Sequence, residues 1–195
     1  MSKADPASQK KERQKAIRWV VTIFLSTIVI SASISLISEE IMATSGMVVA
    51  FAILLAIVLI GIVFDVIGVA VTSADERPFH SMAAHKAPGA REAIKLLRNA
   101  ERVSSICNDV VGDICGVVSG AASATIAAQI LQNFTFSWPR VVSLIMSALV
   151  AGLTVGGKAI GKTFAIQSST RIVHNVGKMI CFCQRFFNIF KKNRK

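Results

Sequence analysis

Four long apolar stretches with almost no charge constrain this chain more than any other feature. They run from about Ile17 to Ile37, Met47 to Thr72, Val103 to Leu131 and Val141 to Thr163. The hydrocarbon core of a bilayer is about 30 Å thick, and about 20 helical residues cross it. Lipid offers no partner to a backbone N–H or C=O, so a spanning segment is a helix or part of a closed barrel. These stretches lack the apolar–polar alternation of barrel strands. The sequence therefore predicts an all-α membrane protein with about four transmembrane helices. The first stretch is long for a signal peptide. Its best small-residue site, Ser31-Ala32-Ser33, is weak, so it reads as a retained anchor.

Charge is confined to what lies between and beyond these stretches. The chain has 195 residues and a formal net charge of +11, yet 17% of its residues are charged. A basic arm at 1–16 carries Lys3, Lys10, Lys11, Arg13 and Lys15. Between the second and third spans lie Arg77, Lys86, Arg91, Lys95, Arg98 and Arg102. A basic tail at 164–195 follows the transmembrane domain, 17–163. The two remaining loops hold Arg140 alone among Lys and Arg, and the first has Glu39 and Glu40 beside it. Positively charged loops stay in the cytoplasm, so both termini are expected there, in a multi-pass protein of the plasma membrane. The basic excess then faces anionic lipid headgroups. No aromatic–basic interleaving accompanies it, which argues against nucleic acid as a partner.

Two elements are expected on the inner surface without crossing. Residues 78–99 read as a helical hairpin turning at Pro88-Gly89. From Gln167 to Phe190 an apolar set (Ile172, Val173, Val176, Met179, Ile180, Cys183, Phe186, Phe187, Phe190) recurs at helical spacing among basic residues. That is the pattern of an interfacial amphipathic helix.

Ionisable groups inside a span cost about 2.5–3.5 kcal/mol at its centre and are functional candidates by default. This chain has Asp65, Asp109, Asp113 and Lys158 there. Asp109 and Asp113 are four apart, hence on one helical face, with Gly112, Gly116 and Gly120. GxxxG spacing lets a second helix approach closely. Gly61, Asp65, Gly68 and Thr72 share a face of the second span, and Gly152, Gly156, Gly157 and Gly161 lie in the fourth. The expectation is three close-packed helices that bring carboxylates to one inward-opening layer. Mg²⁺ takes oxygen ligands and keeps several waters, so one or two carboxylates suffice to hold it. Asp65, Asp109, Asp113 and the Asn108 amide are the candidate ligands. The alternatives are a structural ion pair with Lys158, or a proton relay.

No catalytic pair is evident. His80, His85 and His174 fall in surface segments without an adjacent nucleophile, so no enzyme activity is expected. Cys107, Cys115, Cys181 and Cys183 read as small apolar fillers. Asn133-Phe134-Thr135 matches a glycosylation sequon in an outer loop.

Three stretches resemble the transmembrane domain of the cyclin-M/CorC family of magnesium transporters, CorB-like proteins included. FDVIGVA at 64–70 is similar to the family's FSGSExA. AREAIKLLRNAERVSSICND at 90–109 is similar to its juxtamembrane helix and next span, and GKAIGKTFA at 157–165 to its GExxPKxxA. Order and spacing agree across about 47–180. The resemblance implies an inward-facing cation site near the layer above, alternating access in a homodimer, and Mg²⁺ as cargo. It also marks departures. Asp65 stands where the family has Ser, Lys158 where it has Glu, and Gly161 where it has Pro. No CBS-pair domain is present in 1–195, so regulation of that kind would need a separate soluble protein. With Lys158 neutralising the aspartates, a non-transporting scaffold or regulatory subunit is the alternative.

Overall fold

The computed structural model describes residues 6–133 and 138–192, and every element in them is helical. The helices are α1 (Pro6–Thr44), α2 (Met47–Ser73), α3 (Arg77–Ala84), α4 (Ala90–Arg98) and α5 (Ala100–Ser105). A π-helical stretch, Ile106–Gly112, leads from α5 into α6 (Asp113–Asn133), followed by α7 (Pro139–Gln167) and α8 (Ser169–Lys192). Four helical runs among the described residues are long and apolar enough to cross a bilayer: Ile17–Met42, Met47–Ser73, Ala100–Asn133 and Pro139–Gln167. The chain is an all-α membrane protein by that measure. The outer residues of the sequon, Phe134 and Thr135, and the ends of the basic arm and tail lie outside the described residues.

Helix α2 is the centre of the bundle, packed against α6 and α7. Its buried residues include Ala50, Leu54, Val58, Gly61, Asp65 and Gly68, spaced three or four apart. That spacing keeps them on one stripe of the helix. At one end of the bundle Met42, Leu54, Val58, Ile126 and Val150 form an apolar cluster. There the Gln129 amide donates to the Met42 carbonyl at 2.8 Å, tying α6 to α1. At the other end Val71, Phe79, Ala93, Ala165 and Val173 join α2 to the hairpin and α8. Large apolar residues such as Val48, Leu55, Leu144, Leu149, Val155 and Ile160 point outward from the spans. Water would penalise such a surface, and hydrocarbon does not. Trp19 and Trp138 sit exposed at the N-terminal ends of the first and fourth spans, where indole rings anchor at membrane interfaces.

The first helix runs well past Ile37, through Ser38, Glu39 and Glu40 to Thr44. No helix breaker intervenes before Gly46, so the polar residues extend the helix rather than ending it. The third span departs further from expectation, because it is continuous but not α-helical throughout. The hairpin turns where expected, with Gly89 left-handed at φ 83° and Lys86 at φ 55°. Glu76 ties its two helices by accepting from Arg98 Nε at 3.0 Å. Helix α8 crosses α4 at Gly177, where an added Cβ would strike the Gly89 carbonyl oxygen.

Candidate functional site

Three layers of contact fix the polar residues of the spans. The first is set by glycines. At Gly61 a Cβ would lie 2.8 Å from the Cys115 Cβ, and at Gly68 it would overlap the Asn108 amide. On α7, Gly161 leaves room for Val66 of α2, and Gly157 for Ile62. Helix α2 is thus pressed between the third and fourth spans along the face that carries Asp65.

The second layer is the π-helical stretch. A π turn holds an extra residue, widening the helix and shifting the phase of its side chains. Asn108 sits within it, directly opposite the glycine gap at Gly68. Its Nδ2 donates to Ser104 Oγ at 3.2 Å, while its buried Oδ1 has no hydrogen-bond donor.

The third layer is charge. Asp65 is 4% exposed, and its Oδ2 also lacks a hydrogen-bond donor. Lys162 Nζ approaches that oxygen to 3.9 Å, close enough for an ion pair but too long for a hydrogen bond. So the carboxylate's cation is Lys162, not the expected Lys158. The α7 register explains the exchange: Gly161 seats on Val66, which puts its neighbour Lys162 beside Asp65. Lys158, one turn away, instead brings its ammonium against Gly112, 3.4 Å from where a Cβ would be. No ion pair among the described residues involves Lys158.

Asp109 and Asp113 do not join Asp65. Asp109 is exposed toward α1 and accepts a hydrogen bond from Ser105 Oγ at 2.8 Å. Asp113 is also exposed. Among the described residues no three His, Cys, Asp or Glu side chains gather closely enough to hold a metal ion. The stripe on which the expectation relied is also uncovered: Gly116 and Gly120 have nothing within 4 Å of an added Cβ. Gly152 and Gly156 of α7 are open in the same way.

What the fold brings together is therefore smaller than a three-carboxylate cluster. It is one buried carboxylate and one buried amide oxygen on facing helices, with an ammonium at the edge. The α2 spacing of Gly61, Asp65 and Gly68 signals it in the sequence; nothing in the composition signals the π stretch that delivers Asn108. Compared with known protein families, curated proteins and solved structures, the chain gives no match.

Proposed function

We propose that this membrane protein transports a hard divalent cation, Mg²⁺ in the first instance, with Asp65 and Asn108 supplying the protein oxygens. One observation carries the reading: two buried acceptor oxygens, on α2 and on the π stretch, have no donor. Buried polar atoms are nearly always satisfied, and an orphan calls for a water or an ion. A cation that keeps most of its water needs few protein ligands. Lys162, whose side chain is 53% exposed, balances the carboxylate when no metal is bound and swings out when one enters. Asp109 and Asp113 are outside this ligand set. The basic arm, hairpin and tail are assigned to the cytoplasmic side, against anionic headgroups. The open small-residue faces at Gly116, Gly120, Gly152 and Gly156 suit a second copy of the chain.

The test is thermal unfolding of the purified chain in detergent, with and without Mg²⁺, paired with Mg²⁺ flux into proteoliposomes. A ligand at a hundred times its Kd stabilises by about 2.7 kcal/mol. Asp65→Asn should abolish both the stabilisation and the flux, and Asp113→Asn should keep them. A native chain indifferent to Mg²⁺ in both assays would defeat the proposal.

A second reading has its own support. Lys162 beside Asp65 and Lys158 against Gly112 place two ammonium groups near the carboxylate layer. On that reading the chain is a non-transporting scaffold or regulatory subunit whose lysines neutralise the layer permanently. Mg²⁺ binding that appears in Lys162→Met or Lys158→Glu, but not in the native chain, would establish it.

A further inference from the structure

Asp109, set aside above, faces a groove of its own. Between α1 and the start of the third span runs an open groove of about 780 Å³, lined by Trp19, Ile23 and Phe24 on one wall and by Ser105 and Asp109 on the other. Its walls are mainly apolar. Asp109 lies nine residues beyond Ala100, about 13 Å along the helix at 1.5 Å per residue. Its carboxylate belongs to a helical run long and apolar enough to cross a bilayer, yet no ion pair among the described residues involves it. Its hydrogen bond from Ser105 leaves the charge in place. The nearest basic group on the same helical run, Arg102, stands at the mouth of the groove, its guanidinium 5.5 Å from the Trp19 ring centre rather than paired with Asp109. That contact also shows that the mouth of the groove accepts a cation over an aromatic face.

We propose that this groove binds a lipophilic organic cation: an apolar body against α1 and a single positive charge on Asp109. Charge complementarity selects the occupant. A carboxylate that opens onto an apolar groove without a partner cation is costly in hydrocarbon, and a ligand that brings the missing charge relieves that cost. A zwitterionic lipid would bring its own phosphate toward Asp109, and a neutral tail would leave the carboxylate unpaired. A strongly hydrated cation such as Mg²⁺ gains nothing from the apolar walls. The site is separate from Asp65 and Asn108 and does not depend on their role.

Binding of radiolabelled tetraphenylphosphonium to the full chain in nanodiscs tests this, with empty nanodiscs as background. Saturable binding is expected, weakened at least about tenfold in Asp109→Asn. Trp19→Leu should weaken it less, and Asp65→Asn should leave it unchanged. Circular dichroism and elution volume serve to show that each variant is folded. Should Asp109→Asn misfold, Ser105→Ala serves in its place: loss of its hydrogen bond should alter affinity while preserving the fold. Equal binding to folded Asp109→Asn overturns the proposal. So does equal affinity for a neutral tetraphenyl analogue, or an Asp109-dependent dimer that buries the groove. Loss of tetraphenylphosphonium binding with Mg²⁺ binding intact, or the reverse, tells failure of this site from failure of the other.

Discussion

Two helix faces in this protein are written in nearly the same residues and have opposite surroundings. On α2, Gly61, Asp65 and Gly68 are all buried. On α6, Asp113 and Gly120 are exposed, and an added Cβ at Gly116 or Gly120 would meet nothing within 4 Å among the described residues. Both faces combine a carboxylate with small residues at helical spacing. The difference lies in what faces them. Helix α2 sits between two other spans and must accommodate Cys115, Asn108, Ile62's contact with Gly157 and Val66's with Gly161. The α6 face opens on a cleft beside Ser147, Ala151 and Thr154 of α7, and nothing among the described residues fills it. An aspartate surrounded by packed helices and one bordering open surface have different chemistry although they are the same residue.

The sharpest way to break this comparison is to fill the glycines. Gly61→Ala should cost about 1–3 kcal/mol, because its Cβ meets another Cβ that cannot rotate away. Gly68→Ala should cost somewhat less, since the Asn108 amide can turn, though it then loses its place opposite α2. In the monomer Gly120→Ala should be neutral or stabilising by up to about 1 kcal/mol, the ordinary helix preference for Ala over Gly. Denaturation in detergent reads all three. Destabilisation by Gly120→Ala would show that this face packs against a second copy, as proposed above.

A smaller effect is expected at Lys162. Replacement by Met leaves Asp65 without its ammonium, but the lysine is half exposed and the contact long. Solvent screening holds the loss to about 1 kcal/mol or less. A much larger loss would mean that the pair is structural and would favour the scaffold reading.

The smallest effect comes from a group outside the spans. His174 of α8 has a buried Nδ1 without a partner, as Asp65 has a buried oxygen. Burial, and then the nearby Lys178, hold its pKa below the ordinary 6.5. The charged form is therefore disfavoured in the folded state. Its contribution is complete above pH 6.5 and declines as pH falls below that toward the folded value. His174→Gln should flatten this dependence in thermal melts from pH 7.5 to 5. An unchanged slope would assign the acid sensitivity to another group.

Much of the fold could be read from the residues. Apolar runs of spanning length predict four spans, and the glycine–aspartate spacing on α2 predicts a buried face. The end of α1 could not be read, because Glu39 and Glu40 look like a loop and only the absence of a breaker keeps them helical. The π stretch could not be read either: it shifts hydrogen bonds by one residue without needing an unusual side chain. Asp109 and Asp113 illustrate the limit most clearly. Spacing shows which residues share a face, but what that face meets depends on the register of neighbouring helices.

The crossing of Gly177 over Gly89 has a mechanical consequence. Two backbones in contact leave no side chains to slide or repack between them. The tail helix and the hairpin therefore move as one lever, with its fulcrum against the end of α2 that carries Val71. A load on the tail is therefore expected to reach α2 less than two turns from Asp65.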